Sequence, residues 1–394
     1  MTGSGTVHAA LGWLPLAGWS RLPCPPLPAR TARIAEILNG NGSPLGAASH
    51  ALNMAALLAS DCGMNELARD LCRRQIQPYL CLNRPLTADE GRLMLGPVLN
   101  LARLDLRAGS PDEALRRLDD IDQAVAASRD LAVDGSVLPV SAIGGTSEEH
   151  AKLRNVVRAL HVGDGVRAHA MAGRWHLAAG LAETLGGVYP RLLEGRQAVV
   201  IARCLAGDLD GARGVLTQAA AAESWEDQVA ACLAVLASPA GEVTDAIDTM
   251  TSRFLADPLP GDRVLFRARL SATVVALSRE IRPDNAAQVA VAAAGEAIRA
   301  GEAYAARDIL ASPAAASLLG PRSRKELARI ADESGLGRGT MPPALADVLH
   351  LTVEKALAGQ GTALARPALP SAAHRAERGS PSAPVSASSS KGAL

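Results

Sequence analysis

From residue 29 to residue 360 the apolar positions recur at helical spacing, broken at intervals by glycine, proline and capping residues. The stretch 108–125 shows the grammar most clearly. Gly109 supplies the left-handed conformation that ends one helix, and Pro111 stands at the first position of the next, where its missing N–H costs nothing. Ser110 and Glu113 have the spacing of a capping box. Leu115, Leu118, Ile121 and Val125 then form one stripe, with Arg116, Arg117, Asp119, Asp120 and Asp122 around the rest of the surface. The pattern predicts a helical hairpin with one buried face. Thr87 with Glu90, Thr146 with Glu149 and Ser224 with Asp227 predict three more helix starts.

Strand signals are nearly absent, so the expected class is all-α, built of stacked antiparallel helical hairpins. Residues 1–28, ending in Pro23-Cys24-Pro25-Pro26-Leu27-Pro28, read as an extended Pro-rich lead-in. Hairpins are expected over 29–130, an irregular insertion over 131–145, a repeat array over 146–360 and a disordered Ala/Pro/Ser tail over 361–394.

Within the array, Gly173, Gly207 and Gly241 lie 34 residues apart, each followed five residues later by Ala178, Ala212 or Ala246. Trp175, Leu209 and Val243 stand two residues after each glycine, and Pro190 and Pro258 fall where a second helix must stop. These features resemble the tetratricopeptide repeat, clearly over about 155–260, with related turns at Gly63/Ala68, Gly109/Ala114 and Gly301/Ala306. The family's aromatic residue early in the first helix is missing, and the outer turns are irregularly spaced. The resemblance implies a superhelix with a concave groove lined by the first helix of each repeat. On that basis Asn155, Arg158, His169 and Arg203 are the expected groove residues, in the role of holding a ligand's backbone or terminal carboxylate.

Composition narrows the function. Forty basic and forty acidic residues give zero net charge, which removes bulk attraction to nucleic acid or anionic lipid. Aromatic residues make up 2% of the chain, too few for a sandwich or barrel core. Six scattered cysteines without a C-x-x-C pair read as reduced, buried thiols, although Arg69, Arg73 and Arg74 stand close enough to Cys72 to activate it. Val7 to Trp19 is apolar, but no cation precedes Arg21 and Pro15 interrupts it, so neither a signal peptide nor a membrane span is expected and the location is cytoplasmic.

Candidate chemistry is sparse. Gly163-Asp164-Gly165 has no preceding strand and no following Lys-Ser/Thr, so it reads as a helix break rather than a phosphate loop. His161, His169 and His176 lack the spacing of a zinc site, and Asp119, Asp120 and Asp122 spread round a solvated face. Trp175 and Trp225 are expected to pack between hairpins. No hydrolase elbow or metalloprotease motif occurs. The expected role is therefore non-enzymatic, without cofactor or metal, and its partner is a peptide or protein. The alternatives are a biosynthetic component with a small-molecule pocket between helices, and a DNA-contacting regulator, for which no basic helix is recognisable.

Overall fold

The structure, a computed structural model, describes residues 4–16, 23–40, 42–220, 222–256, 258 and 261–366. These form eighteen α-helices, one two-stranded hairpin and two short 3-10 turns, so the all-α class holds. Most of the expected tail lies outside the described residues, but its first five residues, 361–365, complete the last helix, Pro343–Ala365 (α18).

One turn design recurs. Gly63, Gly109, Gly173, Gly207 and Gly301 all have positive φ, a conformation that costs a side-chain-bearing residue energy. In each case the next residue's N–H reaches back to a carbonyl five residues earlier, from Met64 to Ala59, Ser110 to Asp105, Arg174 to His169, Asp208 to Arg203 and Glu302 to Ala297, at 2.8–3.1 Å. That 6→1 bond is the Schellman stop. The alanines five residues after these glycines, Ala68, Ala114, Ala178, Ala212 and Ala306, are all fully buried, which lets the paired helices approach closely. The Gly241 unit departs from the design: its turn closes through Glu242 N–H to Pro239, and Ala246 is only half-buried.

Two capping boxes form as expected, at Thr87/Glu90 and Thr146/Glu149, and two do not. Ser110 makes no side-chain cap, and the reciprocal half of its box is also closed, since its N–H is spent on the Asp105 carbonyl and the Glu113 carboxylate is held by Arg116 and Arg117. Ser224 is already inside its helix, Ser224–Leu236 (α11), whose preceding residue Glu223 makes no side-chain cap. Glu226 instead accepts the Ala222 N–H at 2.6 Å. Gly163-Asp164-Gly165 does not break Ser147–Met171 (α7); Gly165 lies where a Cβ would meet Leu181 at 2.6 Å and so brings the next helix, Trp175–Thr184 (α8), close.

The 131–145 stretch is part of the core rather than an insertion. Leu131–Val133 (β1) and Ser136–Leu138 (β2) pair antiparallel through Asp134-Gly135, both at positive φ, the geometry of a type I′ turn. Leu131, Val133, Leu138, Val140 and Ile143 are buried.

Two hydrophobic cores divide the chain, and its ends are exchanged between them. The first core holds residues from Leu27 to Val157 together with Leu349, Val353, Ala356 and Leu364 of α18, which packs on Leu27–Ile37 (α2), Pro44–Asp61 (α3) and Asn65–Leu80 (α4). The second holds residues from Val162 to Ile330 together with Ala10, Leu11, Leu14, Leu16 and Cys24. Helix α7 serves both, with Leu153 and Val157 in one and Val162 and Val166 in the other. The expected extended lead-in is thus corrected: Ser4–Leu11 is a helix (α1), seated on Val264–Ser278 (α13). Helix α13 is apolar nearly all round, so it needs cover on every side.

Gly195, in Glu194–Leu205 (α9), measures the tightness of the second core. A Cβ there would stand 2.4 Å from the Gly187 carbonyl oxygen and 2.9 Å from the Ala182 Cβ, so backbone must move. Gly195→Ala is expected to cost about 1–3 kcal/mol in urea unfolding, whereas Gly180→Ala, with open space around it, is expected to be neutral or stabilising.

Candidate partner-binding surface

The four residues expected to line a groove do not converge. Asn155 and Arg158 lie exposed on α7, Arg158 reaching Asp122 at 3.7 Å. His169 is fourteen residues beyond Asn155, about 21 Å along the helix axis. Burial pushes the His169 imidazole below its usual pKa, and Arg174 adds to the effect. Arg203 closes on Asp208 at 3.2 Å in its own turn. Among the described residues no hydrogen bond or ion pair joins any two of the four.

A different set of residues grips a peptide, and that peptide is the chain's own beginning. Thr273 of α13 donates its hydroxyl to the Ala10 carbonyl at 3.2 Å. Gln197 of α9 donates its amide to the Leu16 carbonyl at 3.1 Å and to the Leu192 carbonyl at 2.8 Å. Farther along, Glu302 accepts the Cys24 N–H at 3.0 Å, and the Ala303 N–H reaches the Cys24 carbonyl at 3.4 Å, at the start of Ala303–Ala311 (α15). His8 lies against Gly173 at the α7–α8 turn. The segment therefore crosses the α7–α8 turn, α9, α13 and α15 while burying Ala10, Leu11, Leu14, Leu16 and Cys24.

These contacts are made by groups that sequence reasoning passed over because they are uncharged or buried. Gln197 stands directly before the apolar run Ala198-Val199-Val200-Ile201 and is fully buried, and Thr273 is buried directly before the apolar run Val274-Val275-Ala276-Leu277 of α13. A polar residue at a core-facing position was the available signal. The fit is incomplete: Gln197 Oε1 is buried without a hydrogen-bond partner, a condition that costs about 1–3 kcal/mol.

A second polar cluster joins the two cores. The Asp61 carboxylate at the end of α3 accepts hydrogen bonds from Arg30 of α2 and the Tyr304 hydroxyl of α15, and Arg107 reaches its other oxygen at 3.1 Å. Arg107 closes Ala88–Arg107 (α5), and it also donates to Ser60 Oγ at 2.7 Å. Beyond Tyr304, Arg307 and Arg269 hold the two oxygens of Asp308 at 2.7 Å each. Every carboxylate here is matched by arginine, which makes the cluster a brace.

The remaining candidates resolve as structure. Burial pushes the Cys72 thiol up to about 12 against the opposing pull of Arg69 and Arg73, and Cys232 likewise to about 12. Cys24 and Cys204 rise to about 11, again chiefly by burial, so these thiols are not activated. Trp225 packs edge-to-face on Phe266 with centroids 5.7 Å apart, and Trp175 is buried. Clefts of about 430 and 480 Å³ are lined, the one by Arg92, Glu149 and Lys152 and the other by Cys81, Arg84 and, from α18, Leu364.

His161 lies between Pro111–Ala126 (α6) and its own α7, with Nε2 at 3.1 Å from Asp119 and Nδ1 at 3.9 Å from Asp122, yet neither nitrogen has hydrogen-bond geometry. Burial pulls its pKa below the usual value and outweighs the two aspartates, so it is neutral when folded. The unfolded chain therefore takes up a proton first as pH falls through about 6.5. Stability attributable to His161 is complete above that pH and declines below it, by up to about 1.4 kcal/mol per pH unit. His161→Asn is expected to flatten the stability profile between pH 7 and the folded pKa; an unchanged slope in urea titrations would refute the assignment.

The chain matches no family model, no curated protein and no solved structure. Among the described residues no helix is long and apolar enough to cross a membrane. The class of protein the structure defines is an all-α protein of eighteen helices, compatible with a helical-repeat build.

Proposed function

We propose that this is a non-enzymatic, tetratricopeptide-like helical-repeat protein that recognises a peptide or protein segment, in a regulatory or assembly role in the bacterial cytoplasm. The observation that carries this reading is the grip on Ala10, Leu16 and Cys24. Side chains of α9 and α13 bind the segment through its backbone carbonyls, while apolar neighbours take its side chains. Main-chain contacts supply affinity and pockets supply selectivity in peptide recognition generally.

The test compares retention of proteins from the native host by the full chain and by a Gln197→Leu/Thr273→Val variant. The reading expects a partner retained by the first and lost by the second, and a peptide from that partner should shift the emission of Trp175 or Trp225. Retention that ignores both substitutions, or turnover of a metabolite by the purified chain, would overturn it.

A further inference from the structure

We infer that residues 7–16 occupy the docking surface for an uncharged segment of a partner protein, a short helix running on into non-helical chain, which binds the same face of α9 and α13 by displacing them. This rests on the peptide-binding reading above and adds to it the kind of partner and the state of the surface.

The chemistry of the partner follows from what the face already accepts. Val7 to Leu16 contains no charged side chain apart from His8 when protonated, and its buried positions are one small residue, Ala10, and three leucines, Leu11, Leu14 and Leu16. Full burial of Ala10 under the Thr273 contact leaves room there for a small side chain only. A charged residue at the position of Ala10, Leu11, Leu14 or Leu16 would be buried among apolar neighbours. The fitting ligand is an Ala/Leu segment whose short helix ends near the Thr273 contact and whose following non-helical chain brings a carbonyl to Gln197.

Three observations make the resident segment replaceable. Its anchors read backbone carbonyls, so another chain in the same register satisfies them equally well. Helix α1 has eight residues, with neither an acidic residue in its first turn nor a length that holds an isolated helix together, so its order comes from docking. Its fit also leaves the Gln197 Oε1 acceptor buried and unmet, and a segment presenting an N–H at that point would bind with one more hydrogen bond than the resident one.

The experiment uses the full chain carrying Leu11→Asp/Leu14→Asp to weaken the resident segment, with a fluorescein-labelled synthetic peptide of residues 4–26 as the probe. By anisotropy the weakened chain is expected to bind the peptide at least about tenfold more tightly than the unaltered chain does, and adding Gln197→Leu/Thr273→Val should remove that gain. A weakened chain with native helical circular dichroism that does not bind the peptide overturns the inference. If the weakened chain does not fold, hydrogen exchange on the unaltered protein decides. Amides of residues 5–16 exchanging about a hundredfold faster than those of α13 show separate opening and support displacement; exchange at one common rate makes the segment permanent core and overturns it. A concentration-dependent dimer with exchanged N-terminal segments would assign the face to a second copy and overturn the proposed partner. A host protein that depends on Gln197 and Thr273 yet leaves the bound probe in place would overturn displacement while the peptide-binding reading stands.

Discussion

Asp61→Ala is expected to lower stability by about 3–5 kcal/mol, because it strands a buried guanidinium. The side chains of Asp61 and Arg30 are 3% and 9% exposed, and without the carboxylate Arg30 keeps only the Ser334 carbonyl and the Tyr304 hydroxyl, each at 3.4 Å. The loss is not confined to one contact. Asp61 ties α2, α3 and α5 to α15, so it bridges the two cores. Beside it, Gly337 N–H meets the Asp61 carbonyl at 2.8 Å, and Gly339 N–H meets the Cys62 carbonyl, carrying the chain towards α18. Graded controls separate the contributions. Tyr304→Phe removes the hydroxyl's hydrogen bond to Asp61 and the longer one it accepts from Arg30, and should cost about 1.5–3 kcal/mol. Arg107→Ala, whose side chain is 38% exposed, should cost no more than about 1 kcal/mol, since solvent screens that pair. Urea unfolding at neutral pH reads all three; an Asp61→Ala loss no larger than that of Arg107→Ala would mean the buried pair contributes nothing beyond its exposed neighbour.

What the sequence made legible was local. A glycine that must take positive φ, with an alanine one and a half turns on, can be read at Gly63, Gly109, Gly173, Gly207 and Gly301 because both requirements are set by nearest neighbours in the chain. Thr87/Glu90 and Thr146/Glu149 were readable for the same reason. The Ser110/Glu113 box failed where the Gly109 turn took the Ser110 N–H for the Asp105 carbonyl and Arg116 took the Glu113 carboxylate, a contest that spacing alone does not decide. Apart from His8, Ser4–Leu11 has no ionisable side chain, and its periodicity is weak, so nothing within it announces a helix; it is helical because α13 gives it a surface. The expected binding residues were read from a related kind of signal. Asn155, Arg158 and Arg203 were polar on exposed faces, whereas the groups that hold residues 10–16, Gln197 and Thr273, are hidden in apolar stretches and show their role only when a chain lies across them.

The largest effect is expected from ending the chain after Met341, which removes α18 and everything beyond it. Leu349, Val353 and Leu364 are almost fully buried against the first core, and at about 1.5–3 kcal/mol for each large apolar side chain their loss removes about 5–9 kcal/mol, comparable with the whole stability of an ordinary domain. Polar ties go with them: Gln360 donates to the Gln75 carbonyl at 3.0 Å, and Arg84, already bidentate on Glu90, holds the Leu364 carbonyl at 2.9 Å. Because the ends are exchanged, damage at the C-terminus should unfold the N-terminal half. Trp175 and Trp225 both lie in the second core, so with Trp13 and Trp19 replaced by Phe the emission reports that half alone. The shortened chain should lose a large part of its helical circular dichroism while keeping the buried-tryptophan spectrum, and a chain ended after Arg366 separates the loss of α18 from the loss of the residues that follow it. If ellipticity falls only in proportion to the twenty-three residues of α18, then α2 to α6 stand without it and the first core does not depend on the returning helix.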